Sequence, residues 1–248
     1  AMSRFLEAFW WAIVIALVFA YCSYYVPRVG GPFAYVSEAF DDFYGFLTGW
    51  SLWIAEMLAL PVFAIAFANY LQYLVPLSEG ERILVKALFL GTLVLVNIVG
   101  VRAAGRVNDA LTLIKLAPLL LLIVAGFGAF LLEPARLLDA YQPLAPLGVR
   151  NTGPALVLIF WAYVGFEMAT FPASEVQDPG STIPRAIVTG MLIVTVFYLL
   201  TNFVVYGLIP WDTLARSSTP LILAGSALFG SLGALIMTVG ALFSVSGS

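Results

Sequence analysis

Long apolar runs separated by short polar stretches dominate this 248-residue chain. A hydrocarbon core of about 30 Å needs roughly 20 apolar residues in a helix, and seven stretches approach or exceed that length. No stretch alternates apolar and polar residues as the strands of a membrane barrel do. The pattern therefore predicts an all-α membrane protein whose seven spans cover residues 5–26, 43–75, 83–99, 107–132, 154–171, 186–209 and 221–245.

Composition narrows the chemistry that these helices can carry. The chain is 62% hydrophobic and only 10% charged, which is typical of an integral membrane protein. With no His and with Cys22 as its single cysteine, it lacks the residues for a disulfide, a zinc site or Cys-His catalysis. A net charge of -3, without a basic arm or a phosphate-binding loop, argues against nucleic acid. We therefore expect that the chain is not an enzyme and that it binds no metal and no cofactor.

The chain reads as one transmembrane domain, residues 1–248. Its first apolar run is too long and too aromatic for a signal peptide, so we interpret it as a spanning helix. The last residues, ALFSVSGS, stop inside an apolar run without a polar tail. We therefore expect the chain to be incomplete at this end.

The stretch 160–187, FWAYVGFEMATFPASEVQDPGSTIPRAI, combines a mid-span glycine with a carboxylate. Gly165 lowers helix stability by roughly 1 kcal/mol relative to alanine, and Glu167 is costly in a bilayer unless it is paired or hydrogen-bonded. One interpretation is that the helix unwinds here and lines a cavity, because freed backbone groups cannot face lipid. The other is an ordinary helix that uses Gly165 for close packing.

Two more ionisable residues fall inside predicted spans. Glu56 has no basic residue at i±3 or i±4, so we expect it to face a cavity or a partner on another helix, and Lys115 is one candidate partner. Lys115 lies roughly two turns into its span. It either snorkels to the near interface or has a role inside the bundle.

Three motifs occur in an order that resembles a known family. They are GGPFAYVSEAFDDFYGFLTG at 30–49, NIVGVRAAGRVNDALTLIK at 97–115, and the stretch 160–187. Together they resemble the permeases of the amino acid-polyamine-organocation (APC) superfamily, which share the LeuT-type fold of two inverted five-helix repeats. The resemblance begins at the family's second helix and stops within its eighth. It implies a partial LeuT-type bundle, incomplete at both ends, whose sixth helix is discontinuous and whose partners include the missing helices.

The resemblance also implies a substrate site. In the family, substrate lies between the broken first and sixth helices, where freed carbonyls face its ammonium group. This chain would supply the wall from the sixth helix, with Trp161 closing over the substrate unless it is only an interfacial anchor. Glu56 would face a cationic substrate side chain. The implied substrate-binding residues are Trp161, Ala162, Tyr163, Val164, Gly165, Phe166 and Glu56.

A proton is the coupling ion that the resemblance implies. In proton-coupled members, a lysine at the position of Lys115 occupies the place of sodium in sodium-coupled relatives. Ser244 and Ser246 are candidates to face this lysine, and Glu167 either accepts bonds from released amides or takes a proton. The expected function is proton-coupled secondary transport of an amino acid or amine across the cell membrane by alternating access.

Three alternatives stay open. The first is an amino-acid or polyamine exchanger without proton coupling. The second is a seven-helix receptor or retinal protein, although the last span has neither a late lysine nor a polar activation motif. The third is a split or accessory membrane subunit that never transports alone.

Overall fold

The structure, a computed structural model, describes residues 2–99, 101–134, 141 and 161–247. Every regular element in these residues is helical, so the predicted all-α class is confirmed. Two 3-10 helices, Phe166–Thr170 and Ala173–Glu175, precede the long helix that begins at Pro179. The α-helices are α1 Met2–Tyr25, α2 Pro32–Ala39, α3 Asp42–Leu74, α4 Glu79–Val99, α5 Val101–Leu132, α6 Pro179–Leu208, α7 Trp211–Arg216 and α8 Pro220–Ser246.

Five of the described helices are long and apolar enough to cross a bilayer: α3, α4, α5, α6 and α8. In α1, the part with described side chains, Trp11–Tyr25, is apolar but shorter. The predicted span 154–171 begins outside the described residues, and its described part consists of turns and 3-10 helix. The described part of this span is therefore irregular at the place where the resemblance implies a discontinuous sixth helix.

Helix α8 is also not the continuous span predicted for 221–245. Gly230 has φ 60 and ψ -141, which breaks the helix. A Cβ on Gly225 would lie 2.7 Å from the carbonyl oxygen of Gly233, although eight residues of straight helix would separate the two by about 12 Å. The chain therefore folds back at Gly230. The sequence-based prediction failed because hydropathy does not register a reversal inside an apolar run.

Contacts divide the chain into two compact units, and the first is Ala1–Glu56 with Gln142–Leu199. Its core combines an alanine stripe on α1 with an aliphatic stripe on α6. Both stripes repeat every four residues and so lie on one helical face, and the alanines allow the backbones to approach closely. The buried members of this core are Ala12, Ala16, Ala20, Tyr163, Ala173, Ile183, Ile187 and Met191.

The second unit is Met57–Tyr141 with Leu200–Ser248. Here α5 and α8 run antiparallel, because Gly240 packs on Pro118 while Gly247 packs on Leu111. Its buried core is Leu122, Phe130, Val204, Val205, Leu208, Ile209, Ile222, Ala224, Ala234 and Met237. A single domain over residues 1–248 stays a prediction.

Candidate functional site

The main candidate site is the broken segment, which we define as residues 161–175 of the first unit. Trp161 is helical, residues 162–165 form turns, and a 3-10 helix begins at Phe166. Gly165 has φ 117, in the left-handed region that disfavours residues with a side chain. No described atom lies within 4 Å of the place where its Cβ would be. Gly165 therefore serves backbone conformation, and the interpretation of an ordinary helix through this glycine is wrong.

Glu167 stabilises the turn from inside. Its side chain is 9% exposed, and its Oε2 accepts a hydrogen bond of 2.9 Å from the backbone N–H of Gly165. The hydroxyl of Thr170 donates to the backbone carbonyl of Glu167 at 2.6 Å. The carboxylate of Glu167 thus accepts a hydrogen bond from a backbone amide at the break. A role for Glu167 in proton coupling stays a prediction.

The six predicted binding residues of the broken segment divide into exposed and buried positions. Trp161 is 53% exposed and Val164 45% exposed, whereas Tyr163 is only 3% exposed and belongs to the core of the first unit. Ala162 and Gly165 are exposed, and Phe166 is half-buried. The side chain of Tyr163 is therefore structural in this conformation, although its backbone remains part of the turn.

Aromatic and hydroxyl side chains from other elements support the segment. Phe166 packs edge-on against Phe19 of α1, with ring centroids 5.4 Å apart. The Tyr198 hydroxyl of α6 donates to the carbonyl of Ala162 at 2.9 Å. Sequence reasoning missed Tyr198 and Phe19, because nothing in their local sequence shows which helices pack on the broken segment.

Helix α2 meets the far end of the broken segment. Gly30 N–H donates to the carbonyl of Phe171 at 3.4 Å. Gly31, with φ 50, lies so close to the Thr170 hydroxyl that a Cβ there would overlap it. Sequence reasoning used this region only as part of a family motif, but the run Gly30-Gly31-Pro32 was an available signal of a tight backbone approach.

Lys115 lies on α5, in the second unit, next to the C-terminal end of α8. Its Nζ donates to the carbonyl of Gly247 at 3.1 Å, where a positive charge complements the helix C-terminus. Ser246 donates within its own helix, to the carbonyl of Leu242 at 2.8 Å. Lys115 thus points to the helix end that carries Ser244 and Ser246, and it donates there to the backbone carbonyl of Gly247.

Glu56 is half-buried on α3. The ion pairs of the described residues include Arg28–Glu38 and Arg82–Glu79, and neither involves Glu56. Glu56 belongs to the first unit, as the last residue of its N-terminal segment, and Lys115 belongs to the second. Pairing between them therefore stays a prediction. Among described residues, no group of three or more His, Cys, Asp or Glu side chains is placed to hold a metal ion.

Comparison with known proteins gives the broken segment a context. The family model described as amino acid permease matches residues 3–248. The chain belongs to the amino acid permease family. Its family and named relatives are transporters rather than enzymes, and this permease chain is a multi-pass integral membrane protein. The resemblance to the APC superfamily is thereby confirmed.

Three curated relatives are similar to most of this chain, but the match covers only about half of each relative's own length. The serine/threonine exchanger SteT of Bacillus subtilis is 27% identical over 90% of this chain and 50% of its own length. The methylthioribose transporter of the same organism is 26% identical over 93% of this chain and 52% of its own length. The branched-chain amino acid permease BcaP of Lactococcus lactis is 25% identical over 84% of this chain and 48% of its own length. The permease chain spans about half the length of the curated relatives it matches.

Proposed function

We propose that this permease chain supplies one wall of the substrate site of a secondary transporter that moves an amino acid or related amine across the cell membrane by alternating access. The observation that carries the proposal is the turn 162–165. A membrane segment with an unwound turn, which has no described atom within 4 Å of an added Cβ at Gly165, must face a cavity or protein rather than lipid. Family membership supports the same function.

The polarity of the turn favours an amine. The amides of Val164 and Gly165 are already bonded, to the carbonyl of Trp161 and the carboxylate of Glu167. Each carbonyl oxygen of the turn, by contrast, has two lone pairs and can accept a further hydrogen bond. Carbonyl oxygens accept hydrogen bonds from an ammonium group. Trp161 closes over the ligand, and Glu56 faces a cationic substrate side chain. The remaining contacts come from backbone and side chains of Ala162, Tyr163, Val164 and Phe166.

Lys115 is the proton-coupling residue of this proposal, together with Ser244, Ser246 and Glu167. A charged Nζ is attracted to the C-terminal end of α8 through the carbonyl of Gly247. Loss of the proton removes this attraction, so the two charge states favour different positions of α5 relative to α8. A protonation step that biases two conformations in this way is sufficient to couple transport to a proton gradient.

Replacing Lys115 tests the coupling. In proteoliposomes with the full-length protein, we expect Lys115→Ala to lose accumulation driven by a pH gradient, at least tenfold, while exchange of labelled for unlabelled substrate persists. Lys86→Ala on α4 is the matched control and should accumulate as the unchanged protein does. Undiminished pH-driven accumulation by Lys115→Ala would remove proton coupling through this residue.

Exchange without proton coupling is the second candidate function. The observation that favours it is the hydrogen bond from Lys115 to the backbone of Gly247, which also fits a fixed helix cap, and one relative carries the name exchanger. In this case uptake requires substrate inside the vesicle and does not respond to a pH gradient. Loading vesicles with and without internal substrate separates the two functions.

A further inference from the structure

One face of α6 changes from apolar to polar along its length. Ile183, Ile187 and Met191 repeat every four residues and pack in the core of the first unit. Thr195 and Tyr198 continue the same face, and Thr195 is 3% exposed. A buried hydroxyl is costly unless it has a polar partner. The polar part of this face is therefore expected to meet a polar surface.

The partner of this polar part is the unwound turn. The Tyr198 hydroxyl donates to the carbonyl of Ala162 at 2.9 Å. The ring of Tyr198 packs edge-on against Tyr163, with centroids 5.3 Å apart. Two successive residues of the turn, Ala162 and Tyr163, are thus contacted by one side chain of α6.

We propose that Tyr198 is a positioning residue for the substrate site, acting through the carbonyl of Ala162. The inference rests on the proposed function. A carbonyl in hydrocarbon strongly favours any donor within reach, so an external donor at Ala162 removes one reason for the turn to rewind. The neighbouring carbonyls then keep a fixed direction toward the amine, which lowers the cost of ordering the site when substrate binds.

The test measures affinity in the full-length protein. A panel of amino acids and amines first identifies a ligand that raises the melting temperature. Dissociation constants are then measured for that ligand and for its analogue without the amino group. We expect Tyr198→Phe to weaken the amine about fivefold, as for one lost hydrogen bond, and to change the analogue less than twofold. The matched control is Tyr206→Phe, the same substitution on the same helix.

The outcomes separate this inference from the proposed function. If no amine or amino acid binds the unchanged protein, the proposed function fails and the inference fails with it. If the amine binds but Tyr198→Phe matches Tyr206→Phe within twofold, only the positioning role is overturned. Equal weakening of amine and analogue also overturns it, since that indicates general loss of structure.

A second variant keeps the test decisive if Tyr198→Phe does not fold. Replacement of Tyr198 by 4-fluorophenylalanine keeps the ring that packs on Tyr163 and fills the place of the hydroxyl, but it donates no hydrogen bond. We expect the same loss of amine affinity as for Tyr198→Phe, about fivefold. An affinity equal to that of the unchanged protein would contradict the positioning role of Tyr198.

Discussion

Gly165 and Gly230 both break a membrane helix, yet the two breaks are built differently. Each glycine has a positive φ, 117 at Gly165 and 60 at Gly230, and no described atom lies within 4 Å of an added Cβ at either. Beside Gly165 the chain continues as turns and 3-10 helix, and its polar backbone groups are met by side chains. Beside Gly230 both flanking arms are regular helix.

The difference lies in what each break leaves open. At Gly230 the arms pack against each other through Gly225 and Gly233, so the break reverses the chain and buries its neighbours. At Gly165 the backbone stays unwound over several residues, with Trp161 and Val164 exposed. The same residue type, with a positive φ in both places, thus produces a structural turn in one place and a candidate binding surface in the other.

The largest expected effect comes from filling the packed reversal. Gly233→Val places a branched side chain against the backbone of Gly225, which cannot move aside, and we expect a loss of about 3 kcal/mol or more of stability. The midpoint of thermal unfolding in detergent measures it. Gly91→Val on α4, where an added Cβ has open space, is the control. Equal midpoints would contradict the folded-back form of α8.

A matched pair of alanine substitutions separates the two breaks. Gly165→Ala imposes a strain of about 1–2 kcal/mol, because a side chain disfavours the left-handed region. Gly230→Ala imposes about 1–3 kcal/mol, because φ 60 with ψ -141 is a region that few residues other than glycine adopt. We expect both variants to melt at a lower temperature, Gly230→Ala by at least as much as Gly165→Ala, but a drop in ligand affinity of fivefold or more only for Gly165→Ala. Affinity lost equally in both variants would mean that the break at Gly165 has no special relation to binding.

The smallest expected effect concerns Glu167. Glu167→Gln keeps an oxygen acceptor for the amide of Gly165 but removes its charge, so stability should fall by about 1 kcal/mol or less. Glu175→Gln, at an exposed position of the second 3-10 helix, is the control. If Glu167 is structural, the pH profile of uptake remains unchanged in Glu167→Gln. A shifted profile would instead assign the proton to Glu167.

Sequence reasoning located the broken segment because glycine and glutamate are both unfavourable in the middle of an apolar helix. It missed the reversal at Gly230, because the apolar run there is unbroken and glycine in such a run is equally compatible with helix packing. The side chain of Tyr163, one of the predicted substrate-binding residues, lies in the core, while contact of its backbone with substrate stays a prediction. A residue's direction around an unwound turn is not fixed by helical periodicity, so spacing could not reveal it.

By itself, the sequence determined the membrane environment, the helical class and the position of the weak point at Gly165. These properties follow from local quantities, namely hydropathy, backbone hydrogen bonding and conformational preference. Only the tertiary structure decided which groups meet the unwound turn: Glu167 from within the segment, and Tyr198 from α6. That choice depends on contacts between residues far apart in the chain, 36 positions for Ala162 and Tyr198, which no local pattern encodes.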